Sequence, residues 1–310
     1  MSPRVFRMIE QPLVVHGVGD NELRDILEPK EIRAYLRCRS PPIFVNRERL
    51  TYGIYIHECI DGSSRVVPYL RAAPFNTSLI AFQAFVEGVE SYGVPSRIRV
   101  DGGVENFLIK QFMVAANGEN RGSYIEGRSV HNQRIERLWR DVFQKVVYIF
   151  YQTLHALEDS QALDVMNQIH IYCAQTVFIP RLNQALESWR VTRNNQPVRT
   201  ENNQTPEQLW LSRLTQQRNG NTTAVRNIVE SRAVQTLVQQ VSPTFQPDVS
   251  NFLKPRTVSA VTEEIVARLQ GFDLTKSVED FGVGLYGEVL ECLCNLLPQF
   301  ILIIRKNFSL

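Results

Sequence analysis

Asp101 and Glu136 are the two acidic residues whose settings suggest chemistry, and 34 residues separate them. Asp101 lies in Val100-Asp101-Gly102-Gly103-Val104-Glu105-Asn106, where the glycines allow a close backbone approach beside the carboxylate. Glu136 lies in residues 129–142, SVHNQRIERLWRDV. On a helix, Asn132, Glu136 and Arg140 share one face at four-residue spacing, while Ile135, Leu138, Trp139 and Val142 turn toward a core. Carboxylates brought together are costly unless cations neutralise them. Two Mg²⁺ ions about 3.5–4 Å apart do so while activating a water or hydroxyl and stabilising a leaving oxygen. Plainer roles exist for both residues. Asp101 can cap a helix that begins near Val104, and Glu136 can be a solvated charge on a helix surface. Glu105 and Asn106 either assist at a metal or simply favour a helix N-terminus.

Arginines crowd the same stretch. Arg128, Arg134, Arg137 and Arg140 would line a nucleic-acid backbone, or else pair with Glu136 and Asp141. They form no continuous stripe, because Arg134 and Arg140 fall on different faces. Between Arg181 and Arg232 eight arginines meet four acids, a local charge of +4. His57 and His131 are metal-adjacent or structural hydrogen-bonders. Trp139, Phe143, Tyr148, Phe150 and Tyr151 read as core, since stacking on bases requires an exposure that the helical period does not supply.

The elements that must position these residues follow from periodicity. Residues 43–50 read as a first strand, 52–60 (YGIYIHECI) as a second and 65–72 as a third, with a tight turn at Asp61-Gly62-Ser63-Ser64. Pro68 makes the third an edge strand. Short turns imply an antiparallel meander. Residues 77–92 form a helix closed by Gly93 and Pro95. Residues 96–100 form a strand reached through that helix, hence parallel to a meander strand, with Asp101 at its end. Residues 104–116 are helical, 123–125 a brief fifth strand, and 130–157 one long helix. Further helices follow over 163–178, 180–189 and 206–214.

Composition frames the whole. The chain has 310 residues, 44% of them apolar and 21% charged, with a formal charge of +2. It can bury a sizeable core, and it is not a histone-like polycation. Five scattered cysteines (38, 59, 173, 292, 294) suit a reducing compartment rather than a disulfide scaffold. Residues 1–42 form a segment of different character, with a helix over 21–36 interrupted at Pro29. Residues 43–190 form the core unit, 191–235 an Arg-rich polar linker with a short helix, and 236–310 a helical extension. The apolar run at 289–304 holds Glu291, Asn295, Pro298 and Gln299, so it reads as buried or partner-facing helix rather than a membrane span.

Four stretches carry a resemblance: 56–65 (IHECIDGSSR), 94–106 (VPSRIRVDGGVEN), 127–142 (GRSVHNQRIERLWRDV) and 197–210 (PVRTENNQTPEQLW). In this order they resemble the integrase core of retroviral-type, DDE-class recombinases, most of all the integrase-core proteins of mobile-element origin in animal genomes. The resemblance covers about half the chain. It implies an α/β, ribonuclease-H-like fold: a five-stranded mixed sheet flanked by helices, here with a helical C-terminal extension. It implies Asp101 and Glu136 as the second and third metal-binding carboxylates, Mg²⁺ or Mn²⁺ as cofactor and DNA as partner. It further implies a reaction that cuts and joins DNA, a homo-oligomer, and a place inside the cell, nuclear or cytoplasmic.

One departure bears on activity. The family's first Asp stands some seventeen residues before the turn Asp, and counting back from Asp61 reaches Phe44. No Asp or Glu occurs between Glu31 and Glu48. Asp61 is a candidate catalytic substitute, but the strand spacing puts it roughly 10 Å or more from the usual place. Glu48 would come four residues late. Residues 1–42 do not resemble the DNA-binding helical region usual upstream. A lost or replaced first exon accounts for both facts, and so does a degenerate domesticated copy. The expected function is a DNA-binding integrase core whose ancestral phosphoryl transfer is impaired by the missing carboxylate. The alternatives are an active recombinase completed by another ligand and a protein-interaction scaffold retaining only the fold.

Overall fold

The computed structural model describes residues 52–100, 103–126, 133–218, 231–256, 258–259, 261–276 and 279–296. The expected strand at 43–50 and the helix at 21–36 lie outside them. Strands β1 (Tyr55–Glu58) and β2 (Leu70–Ala73) form an antiparallel pair. Strands β3 (Ile98–Val100) and β4 (Tyr124–Glu126) form a parallel pair. Between them run α1 (Ser78–Tyr92) and α2 (Phe107–Asn117). After β4 come α3 (Gln133–Val142), a π turn at Phe143–Val147 and α4 (Tyr148–Asp159), in unbroken succession. Then follow α5 (Gln168–Asn194), α6 (Pro206–Arg218), α7 (Ser231–Val241), α8 (Glu263–Leu269) and α9 (Val283–Leu296).

The β1–β2 pair is buried on both faces. Ile54, Ile56, Leu70 and Ala72 join a core cluster with Leu138 and Val142 of α3, Val177 and Phe178 of α5, and Val289 and Leu293 of α9. Tyr69 and Ala73 turn the other way, into a cluster with Phe82 and Phe85 of α1, Phe112 of α2, and Val234 and Val238 of α7. Helices therefore cover both faces of a strand layer, the α/β arrangement. Helix α1 begins as its sequence dictates: the Thr77 hydroxyl accepts from Ile80 N, and Gly93, at φ +83, closes it by donating to Val89 O.

Among the described residues four strands stand in two separate pairs, and the first of the five strands that the sequence suggested lies outside those residues. Strand β3 pairs with β4, and among the described residues it pairs with neither β1 nor β2. Strand β2 starts at Leu70 instead of residue 65, and the reason lies in the backbone. Arg65 sits at φ +68, Val66 O accepts from Asp61 N, and Pro68 has no N–H. The Val67 amide and carbonyl are engaged by a side chain: Val67 N donates to Asn194 Oδ1 (2.9 Å), and Asn194 Nδ2 donates back to Val67 O (3.1 Å). Asn183, earlier on the same helix, does likewise, accepting from Ala72 N and donating to Ala72 O, both at 2.9 Å. Two asparagines of α5 thus imitate a neighbouring strand and close the outer edge of β2, which would otherwise invite pairing with another chain. Asn194→Ala is expected to lower stability by about 1–3 kcal/mol, because a buried amide and carbonyl lose their partners. Urea denaturation measures it; an unchanged midpoint would mean that water replaces the amide without loss.

Helix α5 runs 27 residues through Pro180, where the sequence suggested a break. An interior proline costs about 3 kcal/mol. Here Cys173, Ala174, Val177, Phe178 and Ile179 before it, and Leu182 and Leu186 after it, are all fully buried. Each large apolar side chain contributes about 1.5–3 kcal/mol, so burial on both sides outweighs the lost hydrogen bond.

Candidate functional site

Asp101, Arg128 and Asn132 lie outside the described residues, as do His131 and Glu48. The structure places what flanks them. Strand β3 ends at Val100, one residue before Asp101, and a single 3₁₀ turn (Val104–Asn106) leads from Gly103 into α2. Gly103 is extended, and the Glu105 carboxylate folds back directly over its Cα, so a side chain at 103 would meet that carboxylate.

Glu136 stands in the first turn of α3 and is half-buried. Beneath it Leu138, Trp139 and Val142 are buried and Ile135 packs against the same cluster, the orientation that the periodicity dictates. Arg134, Arg137 and Arg140 are exposed. Among the described residues no ion pair or hydrogen bond engages these three arginines or Glu136. Asp141, the other acid of this helix, counters the burial that pulls the Arg193 guanidinium of α5 down. Several arginines of the later basic stretch serve the fold. Arg190 grips Glu187 with two hydrogen bonds (2.7 and 2.9 Å), Glu187 also holds Arg71 (3.1 Å), and Arg181 donates to the Leu274 and Lys276 carbonyls.

Asp61 organises the turn. Its Oδ2 accepts from both the amide and the hydroxyl of Ser64, each at 2.6 Å, while its own amide donates to Val66 O. That geometry suits a turn residue, with one carboxylate oxygen already engaged twice.

Sequence reasoning does not single out two neighbours on β1 as a pair. His57 is buried, with Nε2 3.3 Å from Phe75 O, and burial pulls its imidazole down to about 4, so it is uncharged at neutral pH. Glu58 follows it. Burial holds its carboxyl well above the usual carboxylate range, and its Oε2 is shut off from solvent with no hydrogen-bond partner. The signal is present in the sequence: Ile54, Ile56 and Ile60 alternate along the strand, and Glu58 takes the place of the fourth apolar residue.

The donor chemistry agrees in kind with a hard divalent cation, which prefers carboxylate oxygen. Among the described residues no group of three or more His, Cys, Asp or Glu side chains converges. No helix among them is long and apolar enough to cross a membrane.

Comparison with known proteins finds one match of consequence. The model of the integrase core domain family covers residues 43–224, more than half of the chain. No curated protein and no solved structure matches. The matched span takes in the β1–β2 pair, the strand that leads to Asp101, and the whole of α3 with Glu136 and its arginines. On that ground the chain belongs to the integrase core domain family.

Proposed function

We propose that this is a DNA-binding integrase core of mobile-element origin, acting inside the cell, whose ancestral cutting and joining of DNA is impaired. The observation that carries the reading is α3. Within the family-matched span, Arg134, Arg137 and Arg140 project into solvent with no partner among the described residues, beside a half-buried Glu136 that has none either. Unpaired guanidinium groups on one helix suit phosphate contacts, and Arg128 and Asn132 extend the same basic run in sequence. In this reading the two strand pairs belong to one five-stranded, ribonuclease-H-like sheet, with residues 43–50 supplying the fifth strand. Residues 43–190 are then the core unit, 191–235 the linker, and 236–310 the helical extension.

Asp101 and Glu136 are the residues that would hold Mg²⁺ or Mn²⁺, which in this family neutralises charge on the reacting phosphate and activates the attacking oxygen. The arginines of α3 bind and orient the DNA backbone beside them. Impairment follows from Phe44 at the first carboxylate's place, and from Asp61 being engaged by Ser64 in its turn.

Fluorescence anisotropy on labelled duplex DNA, repeated over a range of salt, tests the reading. Affinity should fall linearly with salt on a double-logarithmic plot. Arg137→Ala with Arg140→Ala should weaken binding to all sequences alike and reduce the slope by about two, one for each phosphate that is no longer neutralised. A wild-type chain with no salt-sensitive DNA binding would favour the scaffold reading. Size-exclusion chromatography with light scattering decides whether it works as a homo-oligomer.

A further inference from the structure

We propose that Arg65 and Arg193 together bind one phosphate of the DNA backbone, extending the basic track that begins on α3. The inference rests on the DNA-binding reading and adds two residues, one from the Asp61 turn and one from the end of α5, to which that reading gives no role.

The fold brings the two side chains to one place. Asn194 of α5 clasps both backbone groups of Val67 (2.9 and 3.1 Å), and Arg190 donates to the Val67 carbonyl (3.3 Å). Arg193 therefore leaves the helix beside the segment that carries Arg65, near enough for its guanidinium to feel the Arg65 charge. The backbone sets Arg65 there. It stands at φ +68, with its amide donating to Asp61 O at 3.0 Å. Glycine suits that left-handed position, and an arginine kept in it despite the strain is a pattern of functional sites. Helix α3 adjoins the pair. Val142 of α3 and Val147 just after it pack into the same cluster as Leu182 and Leu186 of α5, and Asp141 lies close enough to act on Arg193. Arg137 stands one turn, about 5.4 Å, before Asp141 on the same face of α3.

The donors of this pair are largely unused. Arg193 is half-buried, yet among the described residues its guanidinium makes no hydrogen bond or ion pair. A guanidinium keeps its charge and carries five N–H donors, so partial burial beside a second cation calls for an anion. Asp141 offsets part of that charge without reaching bonding distance. Arg65 gives one N–H to Glu201 (2.9 Å), in the 3₁₀ turn Arg199–Glu201, and its side chain stays 32% exposed. Other acids close by are engaged: Glu187 by Arg190 and Arg71, and Glu207 by the Tyr92 hydroxyl (2.5 Å). A phosphate, with several acceptor oxygens and full negative charge, matches two converging guanidinium forks. The neighbouring helix names its source. Arg137 and Arg140 are exposed on α3 and unpartnered among the described residues, so α3, the end of α5 and the Asp61 turn present one basic path to a DNA strand.

The test is the salt dependence of duplex DNA binding by the full-length chain, read by fluorescence anisotropy. The double variant Arg65→Gly with Arg193→Gln removes both charges. Glycine suits φ +68 and glutamine keeps most of the buried stem, so circular dichroism and thermal unfolding should match wild type. Affinity should fall about five- to tenfold at 0.1 M salt for every sequence, and the double-logarithmic slope by about one, for one phosphate no longer neutralised. Glu201→Gln should act with the opposite sign. It keeps both arginines and releases Arg65 from an exposed ion pair, so binding should tighten about two- to fivefold. If Arg65 served only to hold Glu201, both changes would act alike. Wild-type slope and affinity in the folded double variant overturn the proposal, and so does unchanged or weaker binding by folded Glu201→Gln. Should the double variant not fold, Glu201→Gln alone decides. The two readings fail separately. A slope that falls in Arg137→Ala with Arg140→Ala but not in the new double variant keeps the DNA-binding function and removes this site, whereas a wild-type chain with no salt-sensitive binding removes both.

Discussion

A chain ended at residue 230 is expected not to fold to a stable native state, although it retains the whole segment that matches the integrase core family. The helices after that point are not an appendage. Val234, Val238, Phe245 and Phe252 are buried members of the cluster built on α1 and α2. Val258, Ile265, Leu269, Tyr286, Val289, Leu290 and Leu293 are buried members of the cluster built on α3 and α5. Each contributes on the order of 1.5–3 kcal/mol by leaving water. The truncated chain is spared the cost of ordering the tail, which offsets much of that sum. What it cannot avoid is the surface left behind. Phe82 would lose Phe245, whose ring lies 5.1 Å away, and Phe178 would lose Tyr286, stacked at 6.3 Å. The total stability of a domain is only about 5–15 kcal/mol, so stripping both clusters at once should leave an aggregating chain that binds hydrophobic dye and lacks near-ultraviolet dichroism. Cooperative thermal unfolding of residues 1–230 near the wild-type midpoint would refute this and make the extension dispensable.

The parts of this fold that are legible in the sequence are those governed by local rules. Helix α1 is readable from its apolar stripe, the Thr77 cap and Gly93. The Asp61–Ser64 turn is readable because Asp and Ser bond to nearby backbone. The inward face of α3, with Leu138, Trp139 and Val142, is readable from its 3.6-residue period. Other features depend on residues far apart in the chain. Pro180 reads as a break until the burial around it is known. The start of β2 depends on Asn194, 127 residues after Val67, taking the backbone groups that would have continued the ladder. Glu58 escapes a reading guided by the family's own acidic positions, whereas the physical anomaly is an acid in an isoleucine row. The roles of Asp101 and Arg128 stand on their sequence motifs and on the family.

Gly53→Ala and Gln175→Ala should each be strongly destabilising and should compensate one another in part. Gly53 lies at φ +66, a left-handed conformation that costs other residues about 1–2 kcal/mol. A Cβ there would come within 2.6 Å of Gln175 Nε2. That amide cannot easily yield. Gln175 is fully buried, donates to the carbonyls of Tyr52 (3.2 Å) and Gly53 (3.0 Å), and accepts from Arg256 N (2.8 Å). Overpacking adds about 1–3 kcal/mol, so Gly53→Ala should cost about 2–5 kcal/mol in all. Gln175→Ala strands two carbonyls and an amide, each worth about 1–3 kcal/mol where water cannot reach, and so belongs in the same range. With the amide gone, however, the new methyl at position 53 has nothing to strike, and only the backbone strain remains. The double variant should therefore be more stable than the sum of the single losses predicts, by about 0.5–3 kcal/mol. Urea denaturation of the four proteins closes the cycle, and additivity within about 0.5 kcal/mol would show that the two sites do not touch. The same amide ties the start of β1 to the C-terminal segment, where Arg256 also donates to Pro74 O and lies 5.7 Å from the Phe75 ring. Loss of Gln175 should therefore loosen the tail before it unfolds the sheet. Limited proteolysis of Gln175→Ala is expected to cut first near residue 256, well below the melting temperature.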